Sequence, residues 1–89
     1  MPPGPLAIAP GYRFQFEPAQ DAHVLLYPEG MIKLSQSAGA ILAQVDGARS
    51  AGDIVDALKA QFPGADLEDD VRGFLTEALG KGWLRAAAD

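Results

Sequence analysis

Few residues in this chain are of types that do chemistry. Its one histidine, His23, opens an apolar run, and there is no cysteine. A general base needs an oriented partner and a reacting group within reach. A lone histidine at a strand start therefore reads as a partly exposed structural residue. Ser35, Ser37 and Ser50 have no recognisable base beside them and are better placed as helix caps than as nucleophiles. The acidic run Asp66, Glu68, Asp69, Asp70 lacks the alternating ligands, central glycine and terminal glutamate of a calcium loop. Gly4, Gly39 and Gly64 build no phosphate-cradling fingerprint. The expectation is a protein that is not an enzyme, with no catalytic residue, no metal and no cofactor.

The main chain itself is the remaining candidate. In Leu25-Leu26-Tyr27-Pro28-Glu29-Gly30-Met31-Ile32-Lys33-Leu34, two short apolar runs flank a Pro-Glu-Gly turn, the pattern of a β-hairpin. Its second arm contains no proline and can sit at a sheet edge, where unpaired amides and carbonyls are offered to another strand. Lys33 and Pro28 also fit as defences of such an edge.

The elements that must hold this hairpin follow from periodicity. Tyr12 to Glu17 alternates aromatic and polar residues, placing Tyr12, Phe14 and Phe16 on one face of a strand. His23 to Tyr27 and Gly30 to Leu34 complete an antiparallel meander. Ser35 or Ser37 caps a first helix carrying Ala38, Ile41, Leu42 and Val45, and Asp46-Gly47 stops it. Ser50 caps a second, with Asp53 in an approximate capping box. Its stripe is Ile54, Val55, Leu58 and Phe62, and Pro63-Gly64 ends it. A third helix begins at Asp66, with the stripe Leu67, Val71, Phe74, Leu75, Ala78 and Leu79. Gly82 is placed as its left-handed C-cap residue, and Trp83 and Leu84 fold back onto the core. The fold class is α+β: a three-stranded antiparallel β-meander followed by three α-helices, like a winged helix-turn-helix. Residues 1–11, with Pro2, Pro3, Gly4, Pro5, Pro10 and Gly11, read as a flexible arm, with packing along a neighbour through Leu6 and Ile8 as the alternative. Residues 12–85 read as a single domain and 86–89 as a tail without a role.

Composition narrows the partners. The 89 residues carry 12 acidic and 7 basic side chains, a net charge of −5. Nucleic-acid binding depends on Lys and Arg neutralising phosphates, and the third helix sets Glu68, Asp69, Asp70 and Glu77 against Arg72 and Lys81. A DNA-binding winged helix is thus the weaker alternative, and an anionic membrane is disfavoured for the same reason. No apolar run approaches the roughly 20 residues that span a bilayer. With no cysteine and no signal segment, a cytoplasmic protein is expected. A structural or oligomerising module is a further alternative, since the edge can equally pair with a second copy.

The ordered set Leu26-Tyr27-Pro28-Glu29-Gly30, Leu34-Ser35, Ala38, Ile41-Leu42, Asp46-Gly47, Ile54, Phe62 and Gly82-Trp83 resembles the PqqD family, the peptide chaperones of pyrroloquinoline quinone (PQQ) biosynthesis. The resemblance implies a winged helix-turn-helix shape that serves as a precursor-peptide recognition element. It implies as partners the ribosomally made precursor peptide PqqA and the radical SAM enzyme PqqE, to which the peptide is presented. It implies that the peptide adds as a strand beside the third strand, against the third helix. Carried onto this chain, the edge is Met31, Ile32, Lys33 and Leu34, and the facing helix contributes from Val71, Arg72, Leu75, Ala78 and Leu79. Ordinary core packing is an equal reading of Leu75 and Leu79, and Arg72 is either a solvated helix charge, the favoured reading, or an anchor for a peptide carboxylate. Whether the protein is a monomer or a strand-exchanged homodimer is left open.

Overall fold

The structure, a computed structural model, describes residues 1–87. The meander consists of β2 (Arg13–Glu17), β3 (Ala22–Tyr27) and β4 (Gly30–Lys33), in the spatial order β2-β3-β4 with β3 central. It is followed by α1 (Gln36–Leu42), α2 (Ala51–Gln61) and α3 (Glu68–Gly80). The expected α+β arrangement of three strands and three helices is present.

Beside it lies a second sheet that sequence reading did not anticipate. Strand β1 (Leu6–Ile8) pairs antiparallel with β5 (Leu84–Ala86), Leu6 opposite Ala86 and Ile8 opposite Leu84. This corrects two expectations. The segment 1–11 is not simply a flexible arm, and the tail 86–89 has a role at least at Ala86; Ala88 and Asp89 lie outside the described residues. The physical reason lies in where the prolines fall. Pro5 and Pro10 bracket Leu6 to Ala9, which contains none, so that window keeps all its amides. The Leu6 amide donates to the Arg49 carbonyl at 2.9 Å, the Gly47 amide donates to the Leu6 carbonyl at 3.0 Å, and the Ala9 amide donates to the Trp83 carbonyl at 2.8 Å. Leu6 itself is fully buried.

The helices start and stop where local chemistry directs. The Ser35 hydroxyl accepts from the Ala38 amide. Ser50 and Asp53 form a complete capping box, each side chain accepting from the other's amide, an arrangement that satisfies two otherwise orphaned donors. Leu67 occupies the N-cap of α3 without a side-chain bond, and Glu68, Asp69 and Asp70 fill the first turn, where the helix dipole favours carboxylates. At the other end Gly82 has φ +80°. The Gly82 amide donates to Leu79 and the Trp83 amide to Ala78, which is a Schellman closure.

One apolar core joins the layers. Leu25 and Leu34 from the meander meet Ala38, Ile41 and Leu42 of α1, Ile54, Val55 and Leu58 of α2, and Val71, Leu75 and Ala78 of α3, with Leu6 and Leu84 closing one side. The α1 backbone approaches the sheet closely at Gly39, where an added Cβ would sit 3.1 Å from the His23 Nδ1. His23 has little freedom to retreat, being stacked on Phe14 with ring centroids 4.9 Å apart.

Candidate functional site

The meander register decides which backbone groups of β4 are free. Leu25 pairs with Ile32, Val24 with Lys33 and Leu26 with Met31, and the Leu34 amide donates to the His23 carbonyl at 3.0 Å. In an antiparallel ladder, hydrogen-bonded and non-bonded pairs alternate. His23–Leu34, Leu25–Ile32 and Tyr27–Gly30 are therefore the bonded pairs. It follows that the amides and carbonyls of Met31 and Lys33 point away from the sheet. No described residue hydrogen-bonds them.

Side chains alternate with the backbone. Ile32 shares the face of Leu25 and Phe14 and packs half-buried on the core. Met31 and Lys33 stand on the opposite face, with Met31 42% exposed. That outer face also carries Arg13, Gln15, Val24 and Leu26, as the register requires.

Beyond the Leu34 end of the edge lies a groove of about 1210 Å³, open to solvent on one side, between the meander and α1 on one wall and the α2–α3 corner on the other. Its apolar lining includes Phe16, Leu34, Phe62, Leu67, Val71 and Phe74, with His23 among them. Phe16 and Phe62 are 49% and 44% exposed. Both were expected to belong to core-facing stripes. Each instead stands near a proline that ends its element, Pro18 or Pro63, past the point where the core stops. That adjacency is the one sequence signal that marks them.

Of the residues the resemblance singled out, Met31, Ile32, Lys33 and Leu34 share the edge strand and its extension. Leu34 and Val71 come together at the groove. Leu75 and Ala78 have no accessible surface and Val71 almost none, so α3 turns these side chains into the core. Leu79 is half-buried against it. Arg72 is exposed and its Nε donates to Glu68 Oε2 at 3.0 Å, while Lys59 stands 3.6 Å from the other Glu68 oxygen. The hydrogen bond from Arg72, with the charges of Arg72 and Lys59, holds the Glu68 carboxyl below its usual value. Phe16, His23, Phe62, Leu67 and Phe74 are among the groove residues that sequence reasoning did not assign to the site.

The site offers little to a reaction. His23 is flanked by Phe14 and by Phe16 edge-on at 5.3 Å, and no described side chain orients its ring through a hydrogen bond. Among the described residues no group of three or more His, Asp or Glu is placed to hold a metal. Among the described residues no helix is long and apolar enough to cross a membrane. What the arrangement can do is hold an extended chain, by its backbone along β4 and by its side chains in the groove.

A family model described as coenzyme PQQ synthesis protein D (PqqD) matches residues 22–84, from the start of β3 into β5. A PqqA binding protein of Pseudomonas entomophila is 54% identical over 79 residues, covering 88% of this chain and 87% of the relative. Another, from Azotobacter vinelandii, is 59% identical over 75 residues, covering 83% and 82%. The solution structure of the PqqD part of Methylobacterium extorquens PqqCD superposes with a TM-score of 0.72 at 28% identity, covering 90% of this chain and 87% of that one. That protein is described as a functional, stand-alone recognition element for ribosomally synthesised and post-translationally modified peptides.

Proposed function

The chain belongs to the PqqD family, and from that premise we propose that it is a non-catalytic peptide chaperone that binds the precursor peptide PqqA by strand addition to β4 and presents it to the radical SAM enzyme PqqE. The names of the relatives support PqqA as the ligand. The single observation that carries the mode of binding is the outward pair of unbonded residues, Met31 and Lys33, on a strand that leads into an aromatic groove.

Magnitudes indicate why both parts are needed. Two amides and two carbonyls at about 0.5–1.5 kcal/mol each give about 2–6 kcal/mol, short of the roughly 8 kcal/mol of micromolar affinity. Apolar burial in the groove, at about 25 cal/mol per Å², supplies the difference and offsets the ordering of the peptide. In this reading Met31, Ile32, Lys33 and Leu34 form the edge. Val71 lines the groove, with Arg72 and Leu79 at the accessible surface of α3. Leu75 and Ala78 act by seating that helix. A DNA role gains nothing, since the exposed face of α3 presents Asp69, Asp70 and Glu77.

Amide hydrogen exchange tests the proposal residue by residue. In the free protein Ile32 and Leu34 should exchange slowly, and Met31 and Lys33 fast. Adding the PqqA peptide should slow Met31 and Lys33. Peptide binding that instead protects Phe14 and Phe16, whose backbone groups face outward from the β2 edge by the same alternation, would move the site to the wrong side of the sheet. Protection of Met31 and Lys33 without peptide, rising with protein concentration, would mean that a second copy occupies the edge. Presentation is tested separately, by whether PqqE is retained on the immobilised protein only when PqqA is bound.

A further inference from the structure

Strand addition fixes more than where a peptide lies; it also fixes which of its side chains meet which residues of β4. Resting on the strand-addition reading, we propose that Lys33 and Met31 read an acidic residue and an apolar residue spaced two apart in the bound peptide, the acidic one first.

Three observations combine. First, the free backbone groups belong to Met31 and Lys33, so a pairing strand places its own bonded residues opposite these two. The side chains of those peptide residues fall on the outer face, beside Met31 and Lys33, and the residue between them falls beside half-buried Ile32. Every ladder in the meander is antiparallel. Continuing that pattern, the peptide residue opposite Lys33 precedes the residue opposite Met31. Second, Lys33, like Arg13, Lys81 and Arg85, has no acidic partner within ion-pair distance among the described residues, and of these four it is the one that lies on β4. In a chain of 12 acids and 7 bases, a cation left without a partner at the open edge is available to an incoming carboxylate. Third, next to that charge the outer face is apolar. Val24, directly across from Lys33, is fully buried yet lies outside the main core cluster, and Leu26 lies across from exposed Met31. An apolar peptide side chain opposite Met31 extends this patch. A second copy of β4 does not match, because Gly30–Lys33 contains no carboxylate.

Directly opposed charges on neighbouring strands stabilise, and like charges destabilise, by comparable amounts. The test is calorimetric titration with PqqA peptide, and with a set of peptides in which each Asp or Glu is replaced singly by Lys. Lys33→Gln should weaken binding about two- to fivefold and Lys33→Glu about five- to twentyfold, both variants melting like the parent. One peptide alone in the Lys-substituted set should recover affinity for Lys33→Glu, and Met31→Ala should weaken binding when the residue two further along that peptide is apolar. Hydrogen exchange is read on the same samples. Protection of Met31 and Lys33 with no rescue by any charge-swapped peptide overturns the proposal while leaving strand addition standing. If Lys33→Glu self-associates while peptide affinity is unchanged, Lys33 is a guard of the edge and the proposal fails. Absence of peptide-induced protection at both amides in the parent removes strand addition and this inference together.

Discussion

Strands β1 and β4 are both short and both end near the surface, yet their backbones are treated in opposite ways. β1 is bonded on both sides, to β5 along one edge and to Gly47 and Arg49 of the α1–α2 loop along the other. β4 is bonded only to β3. The difference lies in what each strand places inward. Leu6 is fully buried and ties the two ends of the chain to the helical layer, so an unbonded amide there would be sealed away from water, at about 1–3 kcal/mol. β4 exposes Met31 and Lys33, and water can satisfy their outward groups until another strand does. The contrast separates a strand used to build the domain from one whose free edge is available for use.

The sharpest way to break this comparison is to cut each strand's side chain back to alanine. Leu6→Ala removes a fully buried leucine and should cost about 2–5 kcal/mol in denaturant unfolding. Met31→Ala should change stability by no more than about 0.5 kcal/mol. A Leu6→Ala variant as stable as the parent would mean that β1 is an ornament on a domain complete without it.

These two strands also mark what was legible in the sequence. The caps at Ser35, at Ser50 with Asp53, and at Gly82 were readable because each signal is complete within a few residues. The meander was readable because Tyr12 to Glu17 alternates with period two. The β1–β5 sheet was not, because Leu6 finds its partners near Arg49 and at the far end of the chain, and local composition reported only prolines. The periodicity that placed Phe16 and Phe62 on apolar faces told their direction correctly but not where the core ends. For the site, sequence pointed to the β4 edge, but the parity of its amides depends on one bond, Leu34 to His23, that no sequence pattern specifies. Leu75 and Ala78 entered the site set through the family resemblance, which points to the third helix as a whole and does not separate its core stripe from a groove-facing one.

That parity can be tested with proline, which removes a single amide. Ile32→Pro deletes the donor to Leu25 and leaves a carbonyl without its partner, so stability should fall by about 1–3 kcal/mol. Lys33→Pro deletes an outward donor. It should cost less than Ile32→Pro in a thermal melt while weakening PqqA binding more than Lys33→Gln does. Equal destabilisation by the two prolines would show that β4 has no free side, and the contrast with β1 would collapse.

The smallest expected effect concerns the loop that closes β1. Asp46 Oδ1 accepts from the amides of Ala48 and Arg49 at 2.9 and 3.1 Å, shaping the turn whose Gly47 and Arg49 backbone groups hold Leu6. The Ala48 hydrogen bond, helped by the charge and amide of Arg49 against some burial, holds the Asp46 carboxyl below its usual value. A carboxyl with a lowered folded-state pKa adds stability above its unfolded value, and that contribution is lost as pH falls through the folded value. Asp46→Asn keeps an oxygen acceptor but not the charge. The parent should therefore melt slightly above Asp46→Asn near neutral pH, and the gap should close below about pH 4. Peptide affinity at neutral pH should be the same in both, because the loop serves the closed strand and not the open one. A gap that stays constant with pH would mean that the turn holds β1 through geometry alone.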